Sequence, residues 1–275
     1  MSKTIQTREK FQVHLESVYG YDLNGEKNSS IMYYLKQPIE VKGDVYETYV
    51  SLSSFVCPIS FYVVNENNNL LELEENGILR TVNITHGNYN INQLITEIKS
   101  QLPSNWDIQI NLNTYKLSII NTTYQFYLLS SSTCWRILGF NKNTTYSSNI
   151  GVTYPTIELP NVINLLGTTM VKTWCPTLSL NNIDGKTGGK APILASVVAN
   201  DINGGVLIYN NYTQFKCVCK EKTFTQFQID LKDEFDEYLN LSGCDYSLVL
   251  EVEYFYEKEI KKDTFIDIVN NLGNV

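Results

Sequence analysis

Histidine is almost missing from this chain: His14 and His86 are the only two in 275 residues. That scarcity matters because nucleophilic catalysis needs a nucleophile, a base and an orienting group to converge, and histidine is the usual base. His14 falls between Val13 and Leu15 on the polar side of a strand-like run, and His86 precedes Gly87 at a turn. Both read as ordinary surface or turn histidines. Long apolar runs are lacking too. No stretch approaches the ~18 consecutive apolar residues of a membrane helix. The opening "MSKTIQTREKFQVHLE" carries scattered charges and no apolar run of about seven residues, so no secretory signal is expected. A protein made in the cytosol and remaining soluble is the expectation. Basic charge is in deficit: 21 Lys and Arg against 29 Asp and Glu give a net charge of -8. That balance argues against general affinity for nucleic acid or anionic membranes.

The six cysteines, Cys57, Cys134, Cys175, Cys217, Cys219 and Cys244, are scattered except for Cys217 and Cys219. Those two sit in a strand-like run whose alternation sends both to one face. Zinc sites need a second close pair or partnering histidines, and neither is present, so buried free thiols are expected and no metal or cofactor. Asn-X-Ser/Thr sites recur, at Asn28, Asn83, Asn121, Asn143, Asn211 and Asn240, and mean little without a secretory route. The segment "IDLKDEFDEYLN" offers Asp230, Asp233, Glu234, Asp236 and Glu237 as carboxylates for acid and base work or for calcium. It lacks the central glycine and spacing of a calcium loop, so a solvated acidic surface is the plainer reading.

One stretch imitates a nucleotide site. In "NNIDGKTGGKAP" (181–192), Gly185, Lys186 and Thr187 match the end of a phosphate-binding loop. Such a loop needs a glycine five residues before Gly-Lys-Ser/Thr and a helix directly after it. Leu180 occupies the first position, and a shifted frame on Gly189 and Lys190 puts Asp184 there and Ala191 where the hydroxyl belongs. "APILASVVAN" then reads as a strand. An exposed loop between strands is expected.

What the chain has is alternation. Phe11, Val13, Leu15 and Val18 begin it, and "IMYYLKQPIEV" and "VYETYVSLSSFVCPISFYVV" continue it, with Pro58 marking a strand end or bulge. Asn76-Gly77 predicts a tight hairpin. In "NYNINQLITEIKSQLP", Ile91, Leu94, Ile95, Ile98 and Leu102 recur at helical spacing, capped by Asn88 or Asn90 and stopped by Pro103. A second hairpin follows, with Ile108, Ile110 and Leu112 facing Leu117 and Ile119 and a turn at Asn113 and Thr114. "SSTCWRILGF" predicts a short helix capped by Ser131 or Ser132 and closed by Gly139. From "VINLLGTTMV" onward, "PILASVVA", "GGVLIYNN", "FKCVCKE", "FTQFQIDL" and "YSLVLEVEYFY" are strands at close spacing, the rhythm of a sandwich or jelly roll.

The predicted architecture is therefore mainly β, a jelly-roll β-sandwich with an inserted α+β subdomain. Residues 1–58 and 149–262 form the sandwich, 59–148 the insert, and 263–275 a helical tail. On that tail Phe265, Ile266, Val269 and Leu272 share one side, with Asp263 or Thr264 as cap and Gly273 past the end. A helix this short needs something to dock on, so these four residues are the candidate assembly interface.

Taken in order, "VSLSSFVCPISFYVVNENNNLLEL", "ILRTVNITHGNYNINQLITEIKSQL", "WRILGF", "PILASVVANDINGGVLIYNN" and "FQIDLKDEFDEYLNLSGCDYSLVLEVEY" resemble the minor capsid, penton-type proteins of virophages, polinton-like viruses and related double-stranded DNA viruses. The resemblance runs from about residue 45 to 256 and rests on spacing and residue type. It implies a jelly-roll capsomer with an inserted domain, five copies of which close an icosahedral vertex among trimers of the major capsid protein. The partners it implies are further copies of the chain and that major capsid protein, and the location is the virion, after synthesis in the host cytoplasm. It implies a structural protein and not an enzyme, and the net charge of -8 adds the expectation of no nucleic-acid partner. The "DGKTGGKAP" loop is longer and more basic than the family pattern. The other reading of the same segments is a jelly-roll module that binds a glycan or receptor, which requires an aromatic and carboxylate-lined groove at one end of the sandwich.

Overall fold

Every strand pairing is antiparallel, as expected where short turns and not long helices join the strands. The computed structural model describes residues 3–40, 45–149, 153–199 and 204–260. Up to Phe61 the chain forms β1 (Lys3–Glu16), β2 (Tyr21–Asp22), β3 (Ser30–Glu40) and β4 (Val45–Pro58). Tyr62–Gly167 make a second compact unit. It holds β5 (Leu70–Glu75), β6 (Ile78–Asn83), α1 (Ile91–Ser100), β7 (Trp106–Asn111), β8 (Lys116–Asn121), β9 (Phe126–Leu128), α2 (Trp135–Leu138), β10 (Tyr146–Ser147) and β11 (Thr156–Glu158). From Thr168 the chain rejoins the first unit with β12 (Met170–Trp174), β13 (Ile193–Val198), β14 (Val206–Asn210), β15 (Cys217–Cys219), β16 (Thr223–Lys232) and β17 (Ser247–Ile260). Among the described residues no helix is long and apolar enough to cross a membrane.

The first unit is a β-sandwich. One sheet runs β1-β17-β4-β14, with β15 also paired to β4, and the other runs β13-β12-β16-β3-β2. Lettering β1, β3, β4, β12, β13, β14, β16 and β17 from B to I gives sheets B-I-D-G and F-E-H-C. This alternation of sheets along the chain is the jelly roll. Its first and last strands lie side by side, in register from Lys3↔Ile260 to Glu16↔Ser247.

The core follows from alternation, and from two places where alternation slips. Val13 and Leu15 on β1, Leu248, Leu250 and Val252 on β17, and Phe227, Ile229 and Leu231 on β16 all point inward and are buried. On β4 the inward set changes phase from Val50 and Leu52 to Phe55 and Cys57. A register shift there pairs Leu52 with Leu250 but Ser54 with Val249, leaving Ser53 as the extra residue of a bulge. The inward phase also changes on β16, where Phe224 and Phe227 both face in across a register shift that leaves Thr225 opposite four residues of β3, Leu35 to Pro38. Each fully buried side chain of this kind contributes about 1.5–3 kcal/mol.

The second unit has its own core, built by the four-stranded sheet β10-β9-β5-β6, the three-stranded sheet β11-β8-β7 and α1. Asn76 and Gly77 both take positive φ (49° and 77°), the tight hairpin turn their types favour. Asn90 caps α1 in a reciprocal pair with Gln93, and Leu94 and Ile98 are its buried residues. Asn88 instead accepts the Val63 N–H at 2.9 Å.

Several sequence expectations need correction. The single turn of α2 starts at Cys134 without a side-chain cap. Ser132 is not its cap because its hydroxyl accepts the Glu72 N–H, while that of neighbouring Thr133 accepts the Leu70 N–H, which anchors this stretch to β5. Gly139 does close α2, at φ +88°. The strand rhythm of the sequence assigns residues past 148 to the sandwich, but β11 pairs with β8, and Ile157 and Leu159 complete the second core, so this unit continues to Gly167. "VINLLGTTMV" forms a strand only from Met170, and Val162 and Leu166 are exposed. Val18 lies in a 3-10 turn and Leu112 in the β7–β8 turn, both exposed. The tail 263–275, with Phe265, Ile266, Val269 and Leu272, lies outside the described residues.

Candidate functional site

The glycine-rich stretch belongs to the β12–β13 connection, at one end of the sandwich. Leu180 bridges to Cys219, and Ile183 bridges to Lys190. Between the latter two, Asp184 is buried, and its carboxylate accepts the N–H groups of Lys186 and Thr187, both at 3.2 Å. Gly188, at φ +67°, donates its N–H to the Asp184 carbonyl at 2.8 Å. The backbone donors that a phosphate loop would offer to a ligand are thus filled by the loop's own carboxylate. A strand, β13, follows the loop, and no helix. Lys190 reaches Asn181 Oδ1 at 3.0 Å, and Lys186 reaches Asp236 and the Phe235 carbonyl.

The acidic run does not form one cluster. Asp230 lies on the outward side of β16 yet is buried, accepting hydrogen bonds from Ser30 Oγ (2.6 Å), Gln228 Nε2 (2.9 Å) and Tyr238 OH (3.2 Å). Asp233 Oδ1 accepts the N–H groups of Phe235 and Glu237 and so shapes a turn. Asp236 bridges two lysines, with Lys172 Nζ 2.7 Å from Oδ1 and Lys186 Nζ 2.9 Å from Oδ2. Burial opposes ionisation of Asp236, but the bonds from Lys172 and Lys186 outweigh it and hold the carboxyl below its usual range. Next to this group, Lys232 Nζ sits 4.5 Å from the ring centre of Trp174 and 4.6 Å from that of Tyr238. Among the described residues, no group of three His, Cys, Asp or Glu side chains is arranged to hold a metal ion.

Thiols and histidines offer little chemistry. Cys217 and Cys219 share the inward face of β15, and all six cysteines are free. Burial pushes the Cys57 and Cys175 thiols up to about 12, so they stay protonated and unreactive. His14 is exposed on β1 and His86 is exposed beside Gly87. They belong to different units.

Depressions and strand edges remain, and two of the depressions have a clear lining. The larger depression, about 430 Å³, lies over α1, but its polar groups are used by the helix itself: Asn90 and Gln93 cap each other, Thr96 donates to Asn92 O and Ser100 to Glu97 O. The smaller, about 230 Å³, lies between β1 and β3, lined by His14, Glu16, Tyr19, Tyr33 and Tyr34 over Leu15. Among the described residues, the sandwich has strands without a charged residue at the edges of both sheets, β14 in one and β13 in the other, and β14 is the edge that bears on association. Val206 and Ile208 point outward from it, 47% and 67% exposed, and Ile208 pairs with Val56, itself 39% exposed. The opposite edge, β1, is charged: Lys10 pairs with Glu251 at 2.9 Å, and Arg8 together with Lys216 covers the buried Glu253. Sequence reading missed this contrast because each strand looked amphipathic by itself, and the sheet order decides which strands are edges.

No protein-family profile matches the chain. No curated protein sequence matches it. Among solved structures, the chain is similar to the crystal structure of the mavirus penton protein, with a TM-score of 0.43 and 12% sequence identity, over 92% of this chain and 99% of that one. At that distance the likeness carries no functional conclusion.

Proposed function

We propose that this chain is a structural subunit of a viral capsid, of penton type, which associates with further copies of itself, five to a vertex, and with a major capsid protein. The observation that carries the reading is the uncharged free edge β14 on a B-I-D-G/C-H-E-F jelly roll. Soluble proteins protect such edges with lysine, proline or bulges. An edge with outward Val206 and Ile208 is suited to being covered by another subunit. The jelly roll is an architecture shared by capsid and lectin domains. The tail residues Phe265, Ile266, Val269 and Leu272 are proposed as a second grip on a neighbour. The chain then acts in the virion, without cofactor, metal or nucleic acid. Light scattering on the full chain, alone and mixed with the major capsid protein of the same virus, tests this. Concentration-dependent oligomers and co-assembly are expected, and a stable monomer at high concentration that ignores the major capsid protein contradicts it.

A further inference from the structure

Three asparagines in the sequence directly precede a glycine: Asn24, Asn76 and Asn203, the last of which lies outside the described residues. The first two sit in opposite environments. The Asn24 carboxamide is tied to Ser29 at both ends, its Nδ2 donating to Oγ at 2.9 Å and its Oδ1 accepting the N–H at 3.3 Å. Asn76 stands exposed at the tip of the β5–β6 hairpin, and among the described residues its side chain has no hydrogen-bond partner. The space beside Gly77 is open, since a Cβ built there would meet nothing within 4 Å. β6 is the edge of its sheet, and Ile78 and Leu79, which follow the turn, are 50% and 53% exposed. A hairpin end with so little packed on it opens locally, without unfolding of the unit.

Asparagine is a thermolabile side chain because its amide carbon can be reached by the next peptide nitrogen. The reaction needs only water and hydroxide. With its proton removed, the Gly77 nitrogen bonds to Asn76 Cγ, the bond from Cγ to Nδ2 breaks, and Nδ2 leaves as ammonia, which carries the proton away. The product is a succinimide ring. Water then opens the ring at either carbonyl. Opening at the side-chain carbonyl leaves aspartate; opening at the backbone carbonyl leaves isoaspartate, whose main chain runs through Cγ and is one carbon longer. Water is consumed, ammonia is released, and nothing is oxidised or reduced. Glycine favours the attack because no Cβ flanks its nitrogen. The paired positive φ angles of the closed turn, 49° and 77°, have to be left for the ring to form, so the reaction runs from the opened hairpin end.

What stands next to the turn gives the reaction a structural consequence. Glu75, the residue before Asn76, is 3% exposed. Its Oε2 accepts from Asn121 Nδ2 at 2.6 Å and from Asn105 Nδ2 at 3.1 Å, and its Oε1 accepts from Arg80 Nε at 2.8 Å. These donors come from β8, from the residue before β7 and from β6, so one carboxylate ties the hairpin to the second sheet of its unit. Asn121 Oδ1 in turn accepts the N–H groups of Thr123 and Tyr124, both at 2.9 Å. An extra main-chain carbon one residue away shifts Glu75 against donors that stay fixed, and a buried carboxylate that loses its donors is destabilising. We propose that Asn76-Gly77 is a self-modification site of this chain, reacting with water ahead of Asn24-Gly25, and that isoaspartate formed there loosens the second unit by drawing Glu75 away from Asn121 and Asn105.

The inference stands on this hairpin alone and does not depend on the capsid reading. The test is ageing of the full chain in mildly alkaline buffer, with the peptides that carry Asn24 and Asn76 quantified by mass spectrometry and isoaspartate separated from aspartate by electron-transfer fragmentation. Asn76 is expected to convert about fivefold faster than Asn24 or more, and the melting temperature is expected to fall as isoaspartate accumulates, with amides of β5 and β8 exchanging faster. Asn76→Gly is the control: it removes the reacting amide and leaves Gly-Gly, a pair that suits the same tight turn. Fresh Asn76→Gly should melt with fresh wild type, and ageing should leave it unchanged. Asn24 converting as fast as Asn76 overturns the proposal. So does Asn76 intact when a free peptide of residues 72–82 has fully converted, full conversion with no change in melting temperature, or an aged Asn76→Gly that loses stability as wild type does.

Discussion

Lys186 Nζ lies 2.9 Å from Asp236 Oδ2, tying the glycine-rich β12–β13 loop to the turn after β16 across 50 positions of sequence. The loop is ordered by its own chain: Asp184 fills it from within and Asp236 holds it from outside. Lys172 shares Asp236 from the other side, so the carboxylate is the hub and Lys186 a peripheral partner.

Unequal consequences follow for the two ends of that contact. Lys186 is more than half exposed, so Lys186→Ala should cost no more than about 1 kcal/mol and leave the response to ATP unchanged. Asp236→Asn keeps a residue tolerant of φ 68° but strips the partner from Lys172, which is largely buried. It should cost about 1–3 kcal/mol. The folded carboxyl is held below its usual range, so its contribution is present above the unfolded carboxylate pKa of about 3.9 and fades as pH falls through the folded value. The melting-temperature gap between wild type and Asp236→Asn should be constant above about pH 5 and narrow below about pH 4. A gap that widens in acid would refute the assignment.

Gly139 ends α2 in the left-handed conformation, pressed against the backbone of Asn161 and Val162. A Cβ there would lie 2.5 Å from the Asn161 carbonyl, at a φ of +88°. Gly139→Ala should therefore destabilise this unit by more than the ~1–2 kcal/mol of left-handed strain alone. Hydrogen exchange is the direct readout: amides of β5, β8 and α1 should exchange faster, and those of β16 and β17 should not. Uniform acceleration would mean that the two units unfold as one.

Thiol chemistry gives a sharp count. Five cysteines are buried and only Cys244 is partly exposed, so a thiol reagent should titrate one group per chain quickly and the rest only on unfolding. Rapid modification of Cys217 and Cys219 in the native protein would contradict the inward face assigned to β15.

Most of the individual elements were legible in the sequence, because alternation, Asn-Gly, the Asn90 cap and the Gly139 stop are local signals. What escaped was non-local. The bulge at Ser53 leaves no mark until β17 is laid beside β4. By sequence rhythm the residues past 148 belong with the sandwich strands, yet Ile157 and Leu159 are claimed by the second core. The cleft between β1 and β3 combines residues from the first strand, the following turn and the third strand, and only the sheet order brings them together. The phosphate-loop resemblance fails in the sequence at Leu180, in the shifted frame at Asp184 and Ala191, and at the strand that follows, and the structure adds what fills the loop.

The free edge β14 carries the assembly reading, so it is the place to break it. Ile208→Lys places a charge on an outward, 67% exposed position and should leave the melting temperature within about 0.5 kcal/mol equivalent of wild type, while lowering self-association in sedimentation experiments. Deleting residues 263–275 should weaken assembly in the same way with the fold intact. Association unchanged by both alterations would remove these two surfaces from the interface.

The most direct measurement is negative-stain imaging of the purified full chain at concentrations where scattering shows association. The account predicts closed rings with five countable subunits. A field of single particles at every concentration, or rings of another order, would contradict it.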